Sequence, residues 1–525
     1  MRFFNTAGPV QCDRHYCLPP LMRLDLDEVM ALIEQQKYFV LHAPRQTGKT
    51  SSLLALMEYL NQGERYRCVY VNVELAQAAR EDVGQGMRAI LSQLATMART
   101  LVNDHYPEEI WEATLEKNGG YAALHKVLSL WAEHSPRPIV LLMDEVDALV
   151  GDTLIAVLRQ LRTGYFQRPA LFPQSIVLCG VRDVRDYRIY SERDKAIITG
   201  GSAFNVKAAS LRLGDFTRAD VQTLYAQHTA ETGQPFEPGA LDLVWALTQG
   251  QPWLVNALGY ETCFEMKQGR DRTVPITAAL VSEAKERLIL RRETHLDQLA
   301  DKLREERVRR VIAPLLVGDV SPDLIPTDDI MYVRDLGLIQ TEGQLRIANP
   351  IYQEIIPREL TYSTQLTIAH QPAWYIRADG RLNVDKLLVA FQDFFRQHAE
   401  HWVERFDYKE AGPQLLLQAF LQRIVNNDGR IEREYGLGRL RTDLLVVWPH
   451  PGGVQRVVLE LKIVYGSLES TLEKGLAQTW EYMDRCRADG GHLVLFDREK
   501  DKPWEARIFR RVETYRGMPI TVWGM

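Results

Sequence analysis

The 525-residue chain has no apolar stretch of about 18 residues, the length a membrane-spanning helix needs, so no membrane partner is expected. Its opening, MRFFNTAGPV, lacks the apolar core of a secretion signal, and a cytoplasmic location is the expectation. An excess of one charge is missing as well. The 63 Lys and Arg residues stand against 69 Asp and Glu, a formal net charge of -6. No global field draws the chain to nucleic acid, and any such surface has to be local. Cysteine is sparse, and Cys12, Cys17, Cys68, Cys179, Cys263 and Cys486 lie mostly in apolar segments. That usage points to a reducing compartment rather than a disulfide framework. Cys12, His15 and Cys17 cluster, but no second ligand pair follows at zinc spacing, so no metal site is expected there. Low-complexity tracts and internal repeats are also absent, which excludes solenoids.

What is present is enough chain for about two to four domains. Between residues 28 and 210, short β-rich runs alternate with helical segments, the reading of a parallel α/β sheet. The runs are KYFVLHA (37–43), CVYVNVE (68–74), PIVLLMDE (138–145) and SIVLCGV (175–181), apolar at nearly every position, as strands covered on both faces are. From Phe216 the texture turns helical. Thr217 with Asp220 predicts a capping box, and Val221, Leu224, Tyr225 and His228 share one face. A further helical segment spans 285–312, its dense mixed charge reading as a solvated face. Residues 313–360 read as a small winged helix, a unit that binds DNA or packs against its neighbour. The polar stretch 361–381 reads as irregular and as the main boundary. Beyond it come helical patterns at 383–405 and 413–426, strands at 434–448 and 454–464, a helix near 468–487 and a strand at 492–496.

The segment APRQTGKT (43–50) follows one of these strands and opens a helix, the context a phosphate-binding loop needs. Ala43 holds the first glycine position, which is tolerable because Gly48 is where the backbone must approach most closely. Ala43, Gln46, Thr47, Gly48, Lys49 and Thr50 are the predicted nucleotide-binding residues. Backbone N–H groups would cradle phosphate oxygens, Lys49 would neutralise the β and γ phosphates, and Thr50 would offer its hydroxyl to Mg²⁺. Asp144 and Glu145 end an apolar strand, and in a parallel sheet the carboxyl ends converge. Asp144 can therefore share the Mg²⁺ with Thr50, leaving Glu145 to orient or deprotonate a water. ATP and Mg²⁺ are the expected cofactors.

These residues resemble the AAA+/STAND group of P-loop ATPases over roughly residues 15–360. The resemblance implies a lid, with Pro252 of TQGQPWLV (248–255) near the nucleotide, and an adenine-side contact in HYCLPPLMRL (15–24). It also implies a γ-phosphate sensor at Arg182, where Asn or Thr is usual. Arg159, Arg162 and Arg168 offer trans-acting fingers or a solvated helix face, and a homo-oligomer stays open.

A second constellation lies in REYGLGRLRTDLLVVW (433–448) and RVVLELKIV (456–464). Asp443 begins one strand, while Glu460 and Lys462, two apart, share a face of the next. Two carboxylates suit Mg²⁺, and the lysine can polarise a water. This pattern resembles the PD-(D/E)XK nuclease superfamily over about residues 383–510. Gln478 and Tyr482 match the Q-x-x-x-Y helix of its recombination and repair branch. Thr442 replaces the usual Pro. The acid often found on the preceding helix is Gln418 here, with Glu410 further upstream. Arg430, Arg433, Arg439 and Arg441 supply local positive charge for phosphate, or a charge ladder with Glu432 and Glu434.

The expected architecture is therefore α/β: a P-loop AAA+-like parallel sheet (1–215), a helical lid (216–280), a winged helix (281–360) and a C-terminal α/β PD-(D/E)XK-like domain (383–525). The function it implies is an ATPase controlling a Mg-dependent nuclease that acts on nucleic acid, DNA ahead of RNA, in genome defence or repair. The catalytic residues would be Glu145, Asp443, Glu460, Lys462 and Gln478, with metal held by Thr50, Asp144, Asp443 and Glu460. The alternative is a STAND-like signalling or scaffold ATPase with a non-cleaving nuclease-like domain.

Overall fold

Four of the apolar runs become strands whose alternate side chains enter two different cores. A computed structural model describes residues 1–183, 188–191, 196–291, 301–317, 325–367, 375–405, 412–425, 430–433, 436–437, 440–441, 444–464, 467–497 and 502–525. The chain divides into two units, Met1–His295 with Ile330–Gln340, and Leu296–Asp329 with Thr341–Met525.

The first unit is built on strands β1 (Tyr38–His42), β2 (Arg67–Asn72), β3 (Ile139–Asp144), β4 (Ser175–Gly180) and β5 (Lys207–Arg212). Every pairing is parallel, in the order β2-β3-β4-β1-β5. Val40, Val71, Leu141 and Leu178 face one core, shared with helices Val83–Val102, Ala123–His134 and Gly151–Thr163. Leu41, Tyr70, Leu142 and Cys179 face the other, against helices Leu26–Glu34 and Lys49–Gln62. Each buried aliphatic side chain contributes about 1.5–3 kcal/mol, so burying both faces specifies this register strongly.

β5, KAASLR, carries no continuous apolar run and was not among the strands read from sequence. It is an edge strand only partly buried, which removes the selection for that pattern. An antiparallel ribbon, Arg188–Ser191 with Ala196–Thr199, is likewise inserted ahead of it. Helices Arg218–Thr232, Pro238–Thr248 and Pro252–Tyr260, where the lid is expected, follow. Thr217 and Asp220 form the expected capping box.

Two expectations need correction. The helical segment 285–312 is not continuous: helices Ala278–Arg291 and Glu306–Val317 are separated by a turn at 303–305, with 292–300 outside the described residues. Its charges are used locally, Arg307 and Arg310 pairing with Asp329 at 2.8 and 2.6 Å. Cys12 and Cys17 are joined in a disulfide, because the turn in which His15 N–H donates to the Gln11 carbonyl folds them together. Cys68, Cys179, Cys263 and Cys486 are not joined in disulfides.

In the second unit, helix Pro350–Thr367 runs into the stretch that reads as irregular from 361. A mixed sheet is formed by β6 (Arg430–Arg433), β7 (Leu444–His450), β8 (Gly453–Val464), β9 (Gly490–Asp497), β10 (Phe509–Tyr515) and β11 (Met518–Gly524), in the order β6-β7-β8-β9-β11-β10. β8 and β9 are parallel, as their crossover through helix Leu468–Cys486 requires. Helices Val384–Arg405 and Gly412–Val425 cover one face through Leu387, Phe391, Leu416 and Phe420. Helix Leu468–Cys486 covers the other through Leu476, Tyr482 and Met483. The closing hairpin of β10 and β11 lies beyond the last strand read from sequence. No helix among the described residues is long and apolar enough to cross a membrane.

One polar cluster ties the first unit's sheet to its helices. The buried Asp104 carboxylate pairs with Arg67 of β2, accepts the Trp131 indole N–H at 2.8 Å and accepts the Tyr106 N–H at 3.1 Å. Asp104→Ala leaves the fully buried indole without an acceptor and Arg67 without its ion. A loss of about 2–4 kcal/mol is expected, read as a lower urea midpoint at unchanged slope. A midpoint identical to that of the parent would refute this account of the cluster.

Candidate functional site

Strand β1 ends at His42, and the chain then turns sharply into helix Lys49–Gln62. Gln46 (φ 57°) and Gly48 (φ 91°) adopt left-handed conformations, which curl successive N–H groups toward one concavity. Gly48 also allows a close approach: a Cβ there would lie 2.8 Å from Nη1 of Arg23. The helix begins without a capping side chain and without an acidic residue in its first turn. Its leading N–H groups and the positive end of its dipole are thus available to an anion. Thr47 pins the loop by donating its hydroxyl to the Pro44 carbonyl at 2.8 Å. The buried Lys49 ammonium donates to the carbonyls of Ala43 and Pro44 at 3.0 and 3.1 Å.

One strand, β4, lies between β1 and β3, yet the carboxyl ends converge as expected. The Thr50 hydroxyl donates to Oδ2 of Asp144 at 2.7 Å, and the fully buried Asp144 also accepts from the Tyr70 hydroxyl at 2.9 Å. Its Oδ1 accepts the N–H of Glu145 at 2.9 Å. A hydroxyl beside a carboxylate is an all-oxygen donor set that fits Mg²⁺. Glu145, half-buried and in the left-handed region (φ 57°), has its pKa raised by burial, with the Lys49 charge opposing. Tyr70 was missed in the sequence. It sits mid-way along CVYVNVE, and burial, followed by Asp144, raises its hydroxyl well above the ordinary range.

Gln46, Thr47 and Gly48 line a cleft open to solvent, together with Phe216, Pro252 and Trp253. A further wall comes from the N-terminal segment, through Tyr16, Cys17, Leu18, Pro20 and Arg23. That segment is held to the lid helices by Tyr16 with His228 (3.1 Å), the Cys17 N–H with Gln227 (3.0 Å) and the Trp253 indole with the Thr6 carbonyl (3.0 Å).

Arg182 does not line this cleft. Its guanidinium lies 5.0 Å from the ring centroid of Tyr332, in the segment Ile330–Gln340. The same segment reaches the phosphate loop at Gly337 (φ 78°), where a Cβ would stand 2.7 Å from Cγ of Pro44. Arg159 and Arg162 are exposed, whereas Arg168 is turned inward over the rings of Tyr165 and Tyr38.

In the second unit, Val457, Leu459, Leu461 and Ile463 of β8 face helices Val384–Arg405 and Gly412–Val425, and Val458 faces helix Leu468–Cys486. Alternation puts Glu460 and Lys462 on that latter face, beneath the helix that carries Gln478. Glu460 is 1% exposed, and the Lys462 ammonium donates to its Oε1 at 2.7 Å. Gln478 is half-buried, its Oε1 without a hydrogen-bond partner among the described residues. Tyr482 is a core residue and Gln418 is buried in helix Gly412–Val425. Asp443, Thr442, Glu410, Glu434 and Arg439 lie outside the described residues. Among the described residues no group of three or more His, Cys, Asp and Glu side chains is gathered as metal ligands.

Residues 22–354 match the AAA-like domain family. The chain belongs to that family. As an AAA-like P-loop ATPase it is similar in structure to a Walker-type ATPase of Pyrococcus abyssi, at 13% identity, 67% coverage of this chain, 99% of that one and a TM-score of 0.44. Cdc6p from Pyrobaculum aerophilum follows at 14%, 65%, 93% and 0.35. The RuvB Holliday junction branch migration motor of Thermotoga maritima follows at 12%, 62%, 90% and 0.32. No curated protein matches by sequence.

The AAA-like cleft generates one direct expectation. ATP at about a hundred times its Kd stabilises the folded unit by about 2.7 kcal/mol, and Lys49→Ala loses most of that thermal shift. A full shift in the variant would place the nucleotide elsewhere.

Proposed function

We propose that this AAA-like chain hydrolyses ATP in the cleft and that its nucleotide state controls a magnesium-dependent nuclease domain formed by residues 383–525. The contact between Thr50 and Asp144, with Glu145 next in sequence, carries the first half. Lys49 leaves the Ala43 and Pro44 carbonyls for the β and γ phosphates, which the N–H groups from Gln46 to Thr50 cradle. Thr50 and Asp144 would hold Mg²⁺, which supplies charge neutralisation at the phosphates. Glu145 orients the attacking water and accepts its proton. The lid (216–280) brings Pro252 to the cleft, and residues 281–360 form the winged helix.

For the second half, the support is the shared face of Glu460 and Lys462 under the Gln478 helix. Asp443 and Glu460 would hold Mg²⁺, Lys462 would activate water and Gln478 would position the phosphodiester. DNA is the preferred substrate ahead of RNA, in genome defence or repair, in the cytoplasm. A second reading is favoured by Gln418, buried at the place of the usual acid. In it the domain binds nucleic acid or protein without cleaving, and the chain is a signalling or scaffold ATPase.

Glu145→Gln should lower kcat for ATP by about 10²–10⁴-fold while KM stays within about threefold. The sign of the pH effect follows from burial. The ionised carboxylate is the proton acceptor, so hydrolysis falls as pH drops through a value above the ordinary carboxylate range. That limb should vanish in Glu145→Gln, and an unchanged profile would remove Glu145 from the chemistry. Plasmid, linear and single-stranded DNA incubated with Mg²⁺ and ATP should be cut by the parent, and not by Glu460→Gln or Lys462→Ala. Cleavage surviving Lys462→Ala discards this site, and no cleavage by the parent, with ATP hydrolysis intact, selects the scaffold.

A further inference from the structure

Arg23 lies in the segment 15–24, read as an adenine-side contact, and it joins the phosphate loop to the chain that leads into the helices beyond Phe216. One arm of its guanidinium, Nη1, donates to the Thr47 carbonyl in the phosphate loop. The other, Nη2, donates to the carbonyl of Gly214, between the end of β5 and the first lid helix. Its plane lies 4.9 Å from the ring centroid of Phe216. Phe216 is in turn fixed to the lid, its N–H donating to the Gly250 carbonyl at 2.8 Å. Gly250 (φ 81°) cannot be replaced there, since a Cβ would fall 2.0 Å from the Phe216 oxygen. Two residues on, Pro252 opens the next lid helix at the cleft wall. An unbroken line of contacts therefore runs from Thr47 through Arg23 and Phe216 to Pro252.

The chemistry of the two carbonyls gives this line its meaning. The Thr47 C=O and the Gly48 N–H belong to one trans peptide and point in opposite directions. Holding the carbonyl against Arg23 therefore fixes the aim of the Gly48 N–H. A guanidinium is a rigid planar fork of five donors, able to serve both carbonyls and still present its face to a ring. An ammonium on a flexible stem has the charge without the fork. Burial lowers the Arg23 pKa to about 10, with Asp215 and Asp220 opposing, so the group remains a cation at neutral pH.

We propose that Arg23 is a positioning residue of the ATPase, a tie between phosphate loop and lid hinge through which bound nucleotide sets the lid. The proposal rests on the reading of the cleft as the ATP site. It assigns no contact with the reacting atoms. Arg23 acts through the Gly48 peptide on one side and through Gly214 and Phe216 on the other.

The test uses the full chain with Arg23→Ala, Arg23→Lys and Lys49→Ala, and measures kcat, KM for ATP, and Tm without nucleotide. Arg23→Ala is expected to raise KM about tenfold and lower kcat about tenfold. Arg23→Lys should bring KM back to within about threefold of the parent but leave kcat low, because the charge returns and the bridge does not. Should Arg23→Ala fail to fold, the split between KM and kcat in Arg23→Lys decides alone. Arg23 variants with parental kcat and KM, beside a Lys49→Ala that no longer binds ATP, overturn the proposal and leave the cleft intact. So does a lowered Tm with parental kinetics in the folded fraction, which marks a structural role only. Lys49→Ala with parental ATP binding overturns the reading of the cleft itself.

Discussion

A concentration of positive hydrogen-bond donors at one end of a parallel sheet is the constraint around which the first unit is arranged. The leading N–H groups of helix Lys49–Gln62, the buried Lys49 ammonium and the Arg23 guanidinium all meet there. Buried positive groups are costly unless they find acceptors. Lys49 and Arg23 are satisfied by loop and hinge carbonyls, and Asp144, wholly buried, is satisfied by Thr50, Tyr70 and the Glu145 N–H. The acceptors Lys49 uses are therefore exchangeable, while the donors around Asp144 hold the carboxylate in place. The parallel sheet brings the two sets together because all its strands end on the same side.

The second unit solves a related problem differently. A carboxylate on a strand as apolar as β8 would take up a proton to escape its charge unless a partner stood nearby. Lys462, two positions on and on the same face, is that partner. An ion pair of this sort can be replaced in many proteins by apolar residues without loss of stability. Its position beneath the Gln478 helix is what the proposed nuclease reading draws on. Gln418 weighs on the other side, because an amide hydrogen-bonds but brings no charge to a metal.

How much of this could be read from sequence depends on whether the determining contacts were local. The buried strands β1 to β4, the phosphate loop, the capping box at Thr217 and the register of Glu460 with Lys462 are set by neighbours in sequence, and all were legible. β5 was not, because a half-buried edge strand needs no apolar run. Tyr70 read as an ordinary strand aromatic, and only the fold puts its hydroxyl on Asp144. Arg23 lay in a segment expected to matter for another reason, and nothing nearby in sequence announces Thr47 or Gly214 as its partners. The Cys12–Cys17 bond was hidden because sparse, scattered cysteines carry no spacing signal, whereas a tight local turn can still join two of them.

The least legible feature is the segment Ile330–Gln340. It belongs to the nucleotide-binding unit although the chain on both sides of it belongs to the other. Tyr332 takes the face of Arg182, and the Arg334 carbonyl accepts from Arg212 of β5 at 3.5 Å. Gly337 stands so close to Pro44 that any side chain would press on the phosphate loop. Beneath that loop His42 is buried, its pKa lowered by desolvation while Asp335 and Asp183 pull the other way. A loop bonded by Arg23 on the lid side and packed against Gly337 from a distant part of the chain has little freedom to relax on its own. Displacing Lys49 from its carbonyls must then be felt at one of these two contacts, because a backbone so held transmits a change in its bonding instead of absorbing it.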